Sequence, residues 1–167
     1  MGRNGIAAWS FEGGEWHGVD FTGVKVAVLM SHEKVNLVEI KPGTHQVRYI
    51  VDAPDEMTGR RIVTWINNKL QPQGRPGSWE TVFADVSFTR DGTYFRVAST
   101  GLFEVRGDAV ADGSCCSQPE NRWYETFDSR ITGVAVVGVP DVCEVLKQGD
   151  LESWRHAGEN NVQLASF

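Results

Sequence analysis

The chain lacks any surplus of positive charge. Sixteen Lys and Arg stand against 22 Asp and Glu, a formal net charge of −6, and nucleic-acid binding needs a basic stripe that no segment supplies. Long apolar runs are also missing; a membrane-spanning helix needs roughly 18–20 such residues. Residues 1–8 lack the charged-then-apolar pattern of a secretory leader. The expectation is therefore a cytoplasmic protein that meets neither nucleic acid nor membrane. Cysteine is scarce, three residues in 167. Cys115 and Cys116 are adjacent and bridge only with strain, while Cys143 stands alone, so free thiols are expected rather than a disulfide framework. The four histidines, His17, His32, His45 and His156, form no i,i+2 or i,i+4 pair, and no metal site is expected from them. Cupin spacing counted from Gly43 would put metal histidines where Tyr49 and Val51 stand. Phosphate-cradling glycine loops ahead of a helix and Gly-x-Ser-x-Gly elbows are absent too. Nucleotide binding and serine hydrolysis are disfavoured, and no cofactor is expected.

What the chain has in quantity is short alternation of apolar and polar residues. Runs at 24–30 (VKVAVLM), 35–40, 45–51, 61–66 (RIVTWI), 81–88 (TVFADVSF), 94–99, 102–105, 123–127 and 131–139 are rich in β-branched and aromatic side chains. Gly, Pro, Asn or Asp bound them, which is the mark of strands. Lys41-Pro42-Gly43-Thr44 reads as a turn, and Asp91-Gly92 is the strongest hairpin signal. Stretches 71–78 and 108–121 read as loops. Past Pro140, Val142, Val145 and Leu146 recur at helical spacing, with Gly149 beyond them and Asp150 placed to cap 151–156. A C-terminal helical segment over 140–156 is expected.

A length of 167 residues with 41% hydrophobic content fits one domain over 1–167 with one sizeable core. So many strands leave edges to be managed, by closure into a barrel or by stacking of two sheets. The expected fold is all-β: a closed antiparallel β-barrel with a short C-terminal helix, or alternatively a jelly-roll or β-sandwich. A barrel of eight or more strands leaves a lumen for about one small ligand.

Three segments carry a family pattern: Trp9-Ser10-Phe11-Glu12-Gly13-Gly14-Glu15-Trp16; then 35–43 (VNLVEIKPG) with Val47-Arg48-Tyr49; then Arg122-Trp123-Tyr124-Glu125-Thr126-Phe127 before an apolar strand. They resemble the small calycin-type barrels of the phenolic acid decarboxylase family and its molybdenum-cofactor-associated relatives. The resemblance implies a calycin-like barrel with an aromatic-lined pocket. Where that family carries two carboxylate-holding tyrosines, Trp9 and Phe11 stand here. Its arginine before the second segment has no counterpart, and its acid is matched at best by Asp52. An indole offers one N–H and a phenyl ring none, so the pocket is implied without the decarboxylation.

Six tryptophans are rich for this length. In a barrel, Trp9, Phe11, Trp16 and Trp65 would wall the lumen, with His17 beside Trp16. Tyr49 and Tyr124 would donate hydrogen bonds to a polar group. Arg96, between Phe95 and Val97, would anchor an anion. Asp52 or Glu125 would act as base, an internal Glu125 having its pKa raised by burial. Each also has an ordinary use: tryptophans fill cores, and strand arginines face solvent. The expected function is binding of a small, partly aromatic molecule, with or without cofactor-free lyase, isomerase or cyclase chemistry. The competing class is a non-enzymatic β-sandwich, either carbohydrate-binding or a structural virion or surface component. A homodimer is compatible with both.

Overall fold

The structure is a computed structural model and describes residues 3–32, 46–70, 78–109, 136–146, 153–156 and 162–164. The expected strands at 35–40 and 123–127, the turn at 41–44 and both vicinal cysteines lie outside the described residues. The fold is all-β with one short helix. Two compact units are present: Met1–Ser87 with Ser99–Leu102 and Val145–Trp154, and Phe88–Ala98 with Phe103–Glu144 and Arg155–Phe167.

The first unit is built on a four-stranded sheet of order β1-β4-β5-β6: β1 (Arg3–Ser10), β4 (Lys25–His32), β5 (Gln46–Asp52) and β6 (Ser78–Phe83). A small hairpin, β2 (Glu15–Trp16) and β3 (Val19–Asp20), lies between β1 and β4 in sequence. β1 and β4 pair antiparallel with Trp9 opposite Val26, and β4 and β5 pair antiparallel with Val28 opposite Tyr49. β5 and β6 are parallel, Val51 opposite Phe83. A parallel pair needs a crossover between its strands, and α1 (Glu56–Trp65) lies in it, followed by one turn of π-helix, Ile66–Leu70.

This helix corrects the strand expected at 61–66. Asp55 caps it, accepting from the Thr58 amide at 2.8 Å and the Thr58 hydroxyl at 2.9 Å. Thr58, Gly59, Ile62 and Val63 are its buried residues, an i, i+1, i+4, i+5 stripe of 3.6-residue period. Tertiary burial of that stripe outweighs the mild preference of Ile and Val for strands.

The core lies between sheet and helix. Val47, Tyr49 and Val51 of β5 meet Ile62, Val63 and Ile66, and each fully buried aliphatic side chain contributes roughly 1.5–3 kcal/mol. Ala27, Leu29 and Ile50 alternate with that set and are also fully buried. Burial on both faces is why 24–30 reads as a nearly continuous apolar run.

The second sheet runs in the order β11-β10-β9-β8-β7, with β12 also paired to β10. Its strands are β7 (Ser87–Asp91), β8 (Tyr94–Ser99), β9 (Phe103–Ala109), β10 (Val136–Val145), β11 (Trp154–His156) and β12 (Val162–Leu164). The Asp91-Gly92 hairpin forms, with Gly92 at φ 56°. The helix expected over 140–156 does not: β10 continues through Pro140 to Val145, and 154–156 is β11. Five valines in the ten residues of β10 favour the extended backbone, and Pro140 lies beyond the three positions paired to β12. The expected strand over 81–88 is divided, because β6 ends at Phe83 and β7 begins at Ser87.

The closed antiparallel barrel is also corrected. Among the described residues the strands form three open sheets, one of them mixed in direction. No described helix is long and apolar enough to cross a membrane.

Candidate functional site

The rings expected to wall a lumen come together on a filled core instead. Trp9, Phe11, Trp16 and Trp65 are half-buried and pack against the β4–β5–α1 core. Phe11, Phe21 and Trp65 form an edge-to-face triangle with centroid separations of 6.2, 5.9 and 6.3 Å, the arrangement ring quadrupoles favour.

The segment after β1 is folded back by its own backbone. Phe11 N–H donates to Val24 O, Gly23 N–H to Phe11 O, and Phe21 N–H to Gly14 O, all within 2.9 Å. The Asp20 carboxylate accepts from the Thr22 amide at 2.8 Å and its hydroxyl at 2.6 Å, and these bonds hold its pKa below the usual value. So clamped, the β2–β3 hairpin places Trp16 beside the solvent face of α1.

There the indole and the helix flank a wide-open groove of about 620 Å³, lined by Trp16, Glu56, Met57, Arg60, Arg61 and Thr64. The helical residues follow from the cap and the period: with 58, 59, 62 and 63 turned inward, 56, 57, 60, 61 and 64 face outward. Met57 is 63% exposed. Arg60 donates to Glu56 at 3.2 Å and holds its guanidinium 5.8 Å from the Phe83 ring centroid. That ion pair is open to solvent at both ends, so it orients Arg60 more than it stabilises the helix. Arg61 is exposed and makes no ion pair among the described residues. Two guanidinium groups and one carboxylate leave the groove with a single net positive charge.

The remaining expected residues are placed elsewhere. Tyr49 is fully buried and donates to Asn67 Oδ1 at 2.6 Å. Burial raises its pKa well above the ordinary tyrosine value, the Asn67 bond opposing that shift only in part. Asp52 accepts from Lys25 Nζ and from the Val86 amide, each at 3.3 Å. It pins the chain where β6 ends, next to the Ala84 N–H bond to Val51 O. Arg96 lies in the second unit and donates to Glu104 at 2.7 Å. His17 is exposed at the tip of the β2–β3 hairpin. Tyr124 and Glu125 lie outside the described residues. The structure thus gathers Trp9, Phe11, Trp16 and Trp65 in one unit and gives Asp52 and Arg96 polar partners of their own.

Sequence reasoning missed Met57, Arg60, Arg61 and Thr64. The signal was there: Asp55 ahead of Thr58, with Ile62, Val63 and Ile66 at helical spacing, reads as a capped amphipathic helix. No protein-family model, curated protein or solved structure matches the chain, so the calycin resemblance rests on its sequence segments alone.

Proposed function

We propose that this protein binds a small aromatic acid in the groove between Trp16 and α1. The groove itself is the observation that carries this reading. Its volume, about 620 Å³, falls within the range of small-molecule sites. An indole and the Met57 thioether offer apolar surface to a ring. Arg61 offers a planar cationic fork to a carboxylate or phosphate, while Arg60 is already committed to Glu56 and Phe83. Among the described residues the expected base Asp52 is engaged by Lys25 and an amide and does not line the groove. Tyr49 is held protonated inside the core, away from solvent.

Calorimetric titration with benzoate, phenylacetate and phenyl phosphate tests this. Saturable binding that is lost in Trp16→Ala and weakened at least tenfold in Arg61→Glu is the expected result. Absence of saturable heat with all three acids at millimolar concentration overturns it. Binding that persists unchanged in both variants does the same. A glycan-binding reading has one observation in its favour, the Trp79 ring 48% exposed on β6. A response to maltohexaose alone, abolished by Trp79→Ala, would replace the first reading with that one.

A further inference from the structure

The Trp16 wall of the groove depends on a strained neighbour. The turn joining β2 to β3 consists of His17 and Gly18, with φ of 50° and 76°. Two successive positive φ values define the type I′ hairpin turn, whose first position ordinarily takes Asn, Asp or Gly. Among the described residues, His17 is the one non-glycine with positive φ. Its Cβ makes that conformation unfavourable.

The left-handed backbone has a geometric consequence. In an extended strand consecutive side chains leave opposite faces, and rings at 16 and 17 would diverge. The turn instead brings them together: their centroids are 4.5 Å apart at an interplanar angle of 71°, an edge-to-face pair. Trp16 lines the groove, whereas His17 is exposed and is not part of the groove lining. Asparagine or glycine would relieve the turn but would present no ring to the indole.

We propose that His17 is a positioning residue: its imidazole ring, packed edge-to-face with the Trp16 indole, holds that indole in the orientation that forms the groove wall. The consequence for affinity rests on the aromatic-acid reading given above; the consequence for the indole does not. Two variants separate ring from turn. His17→Asn keeps a residue suited to the turn and removes the ring; His17→Phe keeps a ring. The readouts are the heteronuclear NOE of the Trp16 indole N–H in ligand-free protein, the Tm, and calorimetric titration with phenylacetate.

In His17→Asn the indole NOE falls and phenylacetate binds about fivefold more weakly, while the Tm moves by no more than about 2 °C because relief of the turn offsets loss of the ring pair. His17→Phe restores most of the NOE and most of the affinity. An indole NOE unchanged in His17→Asn overturns the proposal. Equal losses in Asn and Phe overturn it too, since the ring would then be irrelevant. A lowered NOE in Asn, restored in Phe, with no phenylacetate heat even in wild type, upholds the positioning role and ends the aromatic-acid reading.

Discussion

Replacing Gly59 with alanine sets two known effects against each other. Gly59 is buried on the inner face of α1. A Cβ there would lie 2.4 Å from Phe83 Cε1 and 3.1 Å from Val51 Cγ1, whereas carbon atoms sit comfortably at about 3.5–4.0 Å. Helix propensity alone favours alanine by about 1 kcal/mol. Overpacking a filled core costs about 1–3 kcal/mol. The upper end applies because the added Cβ meets two atoms of the Phe83 ring, Cε1 at 2.4 Å and Cζ at 3.2 Å, and Val51 is branched and fully buried. The net expectation is about 2 kcal/mol of destabilisation. In urea, with a slope near 2 kcal/mol/M, the midpoint should fall by about 1 M. Tryptophan fluorescence follows the transition, since Trp65 lies on the same helix. Phe83→Leu in the Gly59→Ala background should recover about 1 kcal/mol relative to additivity. A Gly59→Ala protein as stable as wild type, or more so, would refute the close approach of α1 to β6 on which the packing account depends.

Other expectations follow from single contacts. Tyr49→Phe leaves the buried Asn67 carbonyl without its donor and should cost about 1–3 kcal/mol, whereas Tyr49→Phe with Asn67→Leu should regain much of it in the same urea assay. The Asp55 pKa lies below its usual value because the Thr58 amide and hydroxyl bond to its carboxylate. That stabilisation is present above the unfolded value of about 3.9 and is lost as pH falls through the lower folded value. Asp55→Asn, which keeps a capping side chain, should therefore show a shallower loss of stability below about pH 4. Burial pushes the Cys143 thiol up to about 11, leaving only about a thousandth of it as thiolate at pH 8. Peptide mapping after iodoacetamide should find Cys143 unmodified in native protein and modified in urea; rapid native labelling would contradict its burial.

Legibility differed from element to element. Val24–Val28 and 47–51 read as strands because burial on both faces leaves long β-branched runs, and Asp91-Gly92 read as a hairpin because its turn chemistry is local. The stretch 61–66 misread as a strand because Ile62, Val63 and Ile66 satisfy both a short strand pattern and a helical stripe, and only the Asp55–Thr58 cap decides between them. Valines 142 and 145 suggested the opposite error: helical spacing outweighed the density of β-branched residues around Pro140. Trp16 was identified as a binding candidate, but its cationic partners were not, since Arg60 and Arg61 become a groove wall only when 55–65 is wound as a helix.

Alternation and composition by themselves determined that this chain is built mainly of strands around an apolar interior, because period-two burial and β-branched enrichment are written locally. Whether those strands closed on a hollow could not be written that way. Closure depends on the direction and order of strand pairing, and the parallel β5–β6 pair with α1 in its crossover fills the space between helix and sheet with side chains. That same helix carries Arg60 and Arg61 outward beside Trp16. The groove therefore belongs to the tertiary structure, which brings residue 16 next to residues 56–64.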